Sequence, residues 1–249
     1  MCGRYTLIKK DRILEVLQNF TLKVNLAAEI ARWNIAPAQD ILIATNRAQP
    51  TLEKARWGLV PPWAKDPSIG NKMINARSET LAEKPAFRKA LAQRRCLIFA
   101  DGFYEWRTEA DGKTRTPMYI RLKNGDLFAF AGLWETWNSP DGPPLQTCTI
   151  ITTAANSLVR PIHDRMPAIL PQASYADWLA PQPREAAAMV ALLHPYPAQE
   201  MEASPVSRLV NNPRSEGAAL IQPAENPNNS ANTSDSEKPP PPPTQGRLF

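Results

Sequence analysis

Short runs of apolar residues, separated by turn-forming residues, predict a chain in which strands outnumber helices. Runs with the length and composition of strands lie at 41–45, 52–59, 96–100, 117–121, 127–133 and 147–153. Apolar residues at helical spacing lie at 11–20, 77–83, 86–93, 175–179 and 184–193, and Asp11 is suited to begin the first helix. Strands and helices do not alternate regularly, which argues against a doubly wound parallel sheet. We therefore expect an α+β fold with a largely antiparallel, barrel-like central sheet and peripheral helices.

The hydrophobic pattern ends near Gln222, where the composition changes. Asparagine, serine and acidic residues follow, and then five consecutive prolines at 239–243. Such a segment buries too little apolar surface to offset the entropy of ordering it. We predict one folded domain over 1–222 and a disordered tail over 223–249. Within the domain, Asn124-Gly125 predicts a hairpin turn between two of the strands.

Charge and hydropathy restrict the class of protein. The chain of 249 residues has 29 basic and 24 acidic residues; without the last stretch from 224 onward, 27 basic residues face 21 acidic ones. A basic domain is compatible with nucleic-acid binding but does not prove it. No apolar run approaches the ~20 residues that span a membrane, and the start lacks the apolar segment of a signal peptide. We expect an intracellular protein that is not associated with a membrane.

Of the three cysteines, Cys2 is the candidate for a chemical role. Cys96 and Cys148 lie in strand-like apolar runs and are expected to be inert core residues. With two histidines and no Cys-x-x-Cys, the chain is expected to hold no metal and no cofactor. If Met1 is removed, Cys2 carries an α-amine and a thiol on one residue, a pair that condenses with an aldehyde to a thiazolidine. Without further support, an incidental early cysteine explains Cys2 equally well.

Three polar segments could supply groups for catalysis. Segment 73–80 combines Asn75, Arg77 and a carboxylate near a predicted helix start, which a capped helix would also explain. Glu105 lies among aromatic residues, where burial would raise its pKa towards neutrality; a strand-end carboxylate paired with Arg107 is the alternative. His163, followed by Asp164, lies in a proline-flanked polar loop where an oriented acid–base group is plausible, although a lone histidine is more often structural.

Aromatic residues beside prolines and cations form a further pattern. Trp33 to Pro37 and Trp57 to Trp63 place indole rings next to rigid turns, with arginines nearby in the sequence. Rings interleaved with cations bind single-stranded nucleic acid by stacking and charge. An aromatic core beside ordinary turns explains Trp57 well and Trp63 less well.

Together these segments resemble the SRAP family, named for SOS response-associated peptidases, whose members crosslink to abasic sites in single-stranded DNA. The matching blocks span nearly all of 2–222 and lie at 2–5, 33–37, 57–61, 74–80, 102–106, 162–167 and 205–207. The resemblance implies a covalent link through Cys2, with Asn75, Glu105 and His163 around it. It also implies DNA contacts, at Arg4, Asn34, Pro37, Trp63, Arg77, Thr152 and Arg165. We accordingly expect 1–222 to be a catalytic and DNA-binding domain, and the protein to be a monomer in the cytoplasm, associated with the nucleoid.

The resemblance and the chemistry of Cys2 lead to one hypothesis. Glu105 takes a proton from the Cys2 amine, His163 assists opening of the sugar ring, and Asn75 orients the reactants. Closure of a thiazolidine then shields the lesion from strand breakage. The family's peptidase name fits removal of residues ahead of Cys2, by the protein itself or by an aminopeptidase. An N-terminal-nucleophile amidohydrolase and a non-covalent single-strand-binding module stay as alternatives.

The last five residues carry a separate pattern. Gln245, Leu248 and Phe249 have the spacing of the peptide that binds the bacterial sliding clamp, in which a glutamine precedes an apolar pair. Three fixed residues also match by chance. An apolar pair at the end of a polar tail has no core to explain it, so we predict that the tail binds the clamp.

Overall fold

Strands dominate the part of the chain that the computed structural model describes, which is residues 2–17, 21–140 and 142–224. The strands are β1 Arg4–Leu7, β2 Thr21–Leu22, β3 Arg32–Ile35, β4 Asp40–Thr45, β5 Thr51–Trp57, β6 Asn75–Arg77, β7 Arg95–Ala100, β8 Gly102–Thr108, β9 Arg115–Leu122, β10 Phe128–Trp137, β11 Leu145–Ala154, β12 Arg165–Pro167, β13 Ile169–Leu170 and β14 Met201–Pro205. The α-helices are α1 Ile13–Val16, α2 Pro85–Gln93, α3 Tyr175–Trp178 and α4 Ala186–Val190. Met1 and the predicted clamp-binding residues Gln245, Leu248 and Phe249 lie outside the described residues.

Five strands close into a barrel. They pair in the order β11, β10, β7, β4 and β5, and the ring closes because β5 also pairs with β11, in parallel, with Arg56 opposite Thr147. The other pairings within this ring are antiparallel. Closure removes the exposed sheet edges that would otherwise pair with other chains. The predicted α+β fold with a largely antiparallel, barrel-like centre is confirmed.

A second, antiparallel sheet covers the barrel with the strand order β14-β9-β8-β1-β3. Tyr5 of β1 packs edge-on against Trp57 and Phe130 of the barrel, with ring centroids 5.4 and 5.8 Å apart. Phe103 of β8 packs against the same Phe130. One hydrophobic core therefore joins both sheets and extends to Cys2.

Some local predictions are wrong. Segment 77–83 is not a helix: β6 ends at Arg77 and a single 3₁₀ turn follows at Ser78–Thr80. Pairing of β6 with β11 satisfies the backbone there and outweighs the helical spacing of the side chains. The helix predicted from Asp11 is shorter, with a 3₁₀ turn at Lys10–Arg12 followed by α1.

The Asn124-Gly125 turn forms but does not make a hairpin. Gly125 has a φ of 67° and donates its N–H to the carbonyl of Leu122. The strands on either side, β9 and β10, belong to different sheets. The turn therefore carries the chain from the covering sheet into the barrel.

None of the helices in the described residues is long and apolar enough to cross a membrane.

Candidate active site

The pairing of β1 with β8 brings the start of the chain to Glu105. Arg4 lies opposite Tyr104 and Tyr5 opposite Phe103, so the same register continued by one residue sets Gly3 opposite Glu105. The Cys2 side chain is fully buried, as are Cys96 and Cys148. Burial, and secondly the negative charge of Glu105, raise the pKa of the Cys2 thiol. Cys2 is therefore held as a neutral thiol close to a carboxylate.

Glu105 is a titratable group that the fold removes from water. Its side chain is 3% exposed. Burial raises the pKa of Glu105 from its ordinary value of 4.5 to about 7. The nearby Arg107 is paired with Glu109 at 3.0 Å, so the alternative pairing of Glu105 with Arg107 is wrong. A carboxyl group of this pKa can both accept and release a proton near neutral pH.

His163 is oriented by its loop in either protonation state. The backbone N–H of Arg165 donates to Nδ1 at 3.0 Å, and an oxygen of Asp164 lies 2.8 Å from the same nitrogen. A neutral ring accepts from Arg165 and carries its proton on Nε2, whereas a protonated ring can donate from Nδ1 to Asp164. Burial lowers the pKa of His163, which favours the neutral form. The negative charge of Asp164 also contributes, after burial, to raising the pKa of Glu105.

Asn75 enters the site from β6, which runs parallel to β11 with Asn75 opposite Ile150. Its Nδ2 donates to the carbonyl of Ile74 at 2.8 Å. That carbonyl also accepts from the indole of Trp57, so the backbone beside Asn75 is fixed to the barrel. The other side-chain atom, Oδ1, is buried and has no hydrogen-bond partner among the described residues. Buried acceptors without a partner are uncommon in folded proteins, so Oδ1 is a candidate contact for a substrate or a water molecule.

Three of the predicted DNA-binding residues lie together at the end of β11, where β6 and β12 flank it. Arg77 is exposed. Thr152, paired with Arg77 and Pro167, is fully buried, and its hydroxyl donates to the carbonyl of Ala76 on β6 at 3.5 Å. Arg165 donates to the carbonyl of Thr152 at 2.7 Å and forms a two-point ion pair with Glu79 at 2.6 and 2.9 Å.

The next three predicted DNA-binding residues lie on β1, on β3 and just after β3; they are Arg4, Asn34 and Pro37. Arg4 is half-buried and donates to Oδ1 of Asn34 at 2.8 Å. Asn34 is fully buried, and its Nδ2 donates to carbonyls of residues 210, 212 and 215. Pro37 is half-buried and opens a turn in which Ala38 has a φ of 65°. The structure therefore gives Asn34 a structural function that involves no surface contact.

Trp63, the last of the predicted DNA-binding residues, is 62% exposed. It borders a surface groove whose other polar lining residues are Lys65, Asp66, Ser68 and Lys72. An exposed indole beside two lysines suits stacking of a base next to a phosphate. By contrast Trp57 is fully buried, as expected for a core residue.

The sequence did not single out Glu79 or Asn211 as parts of the site. Glu79 neutralises Arg165, which in turn orients His163. Asn211 accepts a hydrogen bond from Trp106, next to Glu105. Both residues act through contacts between segments far apart in the chain. For Glu79 its place in the 74–80 block was a signal, but for Asn211 the sequence offered none.

Comparisons with known proteins agree on one family. The family model described as SOS response associated peptidase (SRAP) matches residues 1–213. The chain is 51% identical over 224 residues to the abasic site processing protein YoqW of Bacillus subtilis, a match covering 89% of this chain and 99% of that protein. It is 31% identical over 228 residues to the abasic site processing protein YedK of Escherichia coli, covering 90% and 100% of the two chains.

A mammalian relative and a solved structure agree with this. The mouse abasic site processing protein HMCES is 34% identical over 199 aligned residues, in a match that covers 68% of this chain and 56% of that protein. A crystal structure of a Bacteroides thetaiotaomicron protein superposes with a TM-score of 0.80 at 27% identity, covering 90% of this chain and all of that one.

Proposed function

The chain belongs to the SRAP family, and from that premise we propose that it processes abasic sites in DNA by capturing them covalently through Cys2. The substrate is the ring-opened aldehyde of an abasic deoxyribose in single-stranded DNA. The observation that carries the proposal is the placement of Cys2 beside Glu105, a buried carboxyl group with a pKa of about 7.

The order of the bonds follows from the protonation states. With Met1 removed, the Cys2 α-amine ordinarily titrates near ~7.7–8.0, whereas burial keeps the thiol protonated. The amine therefore attacks C1′ first, and loss of water gives an imine. The thiol then adds across the C=N bond: sulfur bonds to C1′, the thiol proton passes to nitrogen, and a thiazolidine ring closes. The ring lacks the iminium that promotes β-elimination, so the strand stays intact.

Each of the other groups has a distinct task. Glu105 as carboxylate accepts the proton of the Cys2 ammonium and returns it when water leaves. Neutral His163, with its proton on Nε2, donates a hydrogen bond to the ring oxygen as the sugar opens, and the proton that the C1′ hydroxyl loses ends on that oxygen. Oδ1 of Asn75, a buried acceptor, orients the amine or a sugar hydroxyl. The same groups in reverse order can release the link.

DNA reaches this site along exposed cations and rings. We assign Arg77 and Trp63 to direct contact, because both are exposed, and Arg165 to contact after exchange of its Glu79 partner for a phosphate. Arg4, Asn34, Pro37 and Thr152 support the surface from beneath or at its edge. A protein that shields chromosomal lesions in this way would work in the cytoplasm, at the nucleoid.

A denaturing gel tests the proposal. Purified protein, with removal of Met1 verified by mass spectrometry, is incubated with a single-stranded oligonucleotide carrying one abasic site. We expect a covalent product that Cys2→Ala abolishes and that an undamaged oligonucleotide does not give. A variant that retains residues ahead of Cys2 has no free amine at that residue and should give no stable product.

Other outcomes identify the alternatives. Binding to the abasic oligonucleotide without a covalent product would support the single-strand-binding module. Turnover of an amide substrate that needs Cys2, with no DNA product, would support the amidohydrolase. A normal yield of product from the extended variant would refute the role of the α-amine.

A further inference from the structure

The segment that follows β14 is built around a capped turn close to the site. Ser207 caps the 3₁₀ turn Arg208–Asn211, with its hydroxyl oxygen accepting from the N–H of Leu209 at 3.3 Å. We call Ser207–Asn211 the C-terminal clasp. The Pro205-Val206-Ser207 block of the sequence leads into it, and the proposed chemistry uses none of these residues.

The C-terminal clasp bonds to both strands that carry the reactive groups. The guanidinium of Arg4, on β1, donates to the carbonyl of Val210 at 2.7 Å and to that of Asn211 at 3.4 Å. The indole N–H of Trp106, on β8, donates to Oδ1 of Asn211 at 2.8 Å. The Arg4 guanidinium also lies over the Trp106 ring, 6.0 Å from its centroid.

The residues that make these contacts are close in the sequence to Cys2 and Glu105. Arg4 is two residues after Cys2, and Trp106 directly follows Glu105. The recorded pairs of β1 with β3 begin at Tyr5 and are interrupted before Leu7, so β3 contributes no backbone pair ahead of Tyr5. Chain termini fray unless they are tied down. The Arg4 side chain, held by the C-terminal clasp and by Asn34, ties this end of β1.

We propose that Asn211 is a positioning residue, which fixes the Cys2 end of β1 against Glu105 by bonding Arg4 through its carbonyl and Trp106 through its side chain. This inference rests on the proposed covalent capture. Misplacement of reacting groups by about 1 Å can cost ~10²-fold in rate, so a contact outside the reaction centre can control it. Asn211 touches no reacting atom in this assignment and acts through its two partners.

The test compares Asn211→Ala with Asn212→Ala, a neighbouring substitution that leaves the carbonyl of Asn212 in place. Asn211 is exposed, so its replacement should not prevent folding. At saturating abasic single-stranded oligonucleotide, we expect covalent product to form about fivefold more slowly in Asn211→Ala, the factor of one ordinary hydrogen bond. Asn212→Ala should keep the rate of the unmodified protein. The Kd for undamaged oligonucleotide, measured by fluorescence anisotropy, should be unchanged in both.

Two further variants separate positioning from general stability. Trp106→Phe keeps a ring but removes the indole N–H, and the double variant with Asn211→Ala should be no slower than either single variant. Asn211→Asp keeps an acceptor for Trp106 and should restore most of the rate. A purely structural role would give additive losses and no rescue.

Failure of the inference differs from failure of the proposed function. If the unmodified protein gives no covalent product, the proposed capture is refuted. If it gives product and Asn211→Ala gives it equally fast, only the positioning role of Asn211 is refuted. A weaker Kd for undamaged DNA in Asn211→Ala, with an unchanged rate at saturation, would also overturn it.

Discussion

At the scale of single residues, the site contains a buried carboxyl group whose charged form would be more stable in water. Glu105 is 3% exposed, and the pKa of its carboxyl group is raised to about 7. A folded state that holds a proton more tightly than the unfolded state loses stability as the pH rises from 4.5 through 7. Glu105, whose raised pKa suits the reaction near neutral pH, therefore destabilises the folded state at that pH.

Glu105→Gln should separate these two effects. Above pH 7 the glutamine removes a buried negative charge, so the free energy of unfolding at pH 8 should increase, by up to roughly 3 kcal/mol for a pKa raised from 4.5 to about 7. At pH 4 both forms are neutral and the gain should vanish. Covalent product should form much more slowly, and the rate should lose the rise through pH 7 that the carboxylate provides. Urea denaturation and single-turnover gels across pH measure both.

Glu109→Gln is the matched control. Hydrogen bonds to Thr116 and Arg107 lower the pKa of Glu109, so its stabilising effect is present above its ordinary pKa. This substitution should lower stability slightly at pH 8 and leave the rate alone. A Glu105→Gln protein that is less stable than the unmodified one at pH 8 would contradict the desolvation argument.

Which residues react could be predicted from the sequence, but where they lie could not. Cys2, Glu105 and His163 are recognisable because amine, thiol, carboxylate and imidazole chemistry belongs to the residue type and its sequence block. Burial belongs to the fold. Asn34 and Thr152 were expected to touch DNA, yet both are fully buried because β3 and β11 are covered by segments far away in the chain.

At the scale of elements, tertiary pairing decided the cases in which local pattern was ambiguous. The strands at 41–45 and 147–153 carry long apolar runs and form as predicted, with extensions of one to two residues. Segment 77–83 has helical spacing, but β6 pairs with β11 and ends at Arg77. That pairing brings Asn75 and Arg77 to the site, so the element hardest to predict is one that builds it.

A buried cation, Arg95, joins α2 and α3 to the barrel. Arg95 begins β7, is fully buried, and donates to five carbonyls, at Leu91, Ala92, Trp178, Ala180 and Gln182. Burial lowers the pKa of Arg95 to about 10, so the side chain stays charged at neutral pH. It closes the end of α2 and holds the segment after α3 against β7.

Arg95→Met should therefore be among the most destabilising substitutions in the chain. The methionine fills most of the volume but leaves buried carbonyls without donors, at about 1–3 kcal/mol each, and the total loss should reach about 4 kcal/mol. The midpoint of urea denaturation measures it. Arg88→Met, at an exposed position of α2, should change stability by less than about 0.5 kcal/mol. Equal midpoints for the two variants would contradict the role of Arg95.

At the scale of the whole molecule, the last described segment returns to β14. Val206 pairs with Pro223, and the N–H of Ala224 donates to the carbonyl of Pro205 at 2.9 Å. These contacts close the described part of the chain close to Gln222, where the composition of the sequence changes. All the groups assigned to the capture of an abasic site lie within the described residues, and the predicted clamp-binding residues lie outside them.

A variant ending at Ala224 should consequently separate formation of the covalent product from binding to the sliding clamp. On a bare abasic oligonucleotide it should form covalent product at the rate of the full chain, because it keeps every contact described above. In a pull-down with purified sliding clamp it should lose binding, and Leu248→Ala with Phe249→Ala in the full chain should lose it equally. Arg247→Ala is the control, since the spacing of Gln245 and the apolar pair does not include it. Clamp binding that survives loss of the apolar pair would refute the recruitment prediction, and a slow truncated variant would show that the tail contributes to the reaction itself.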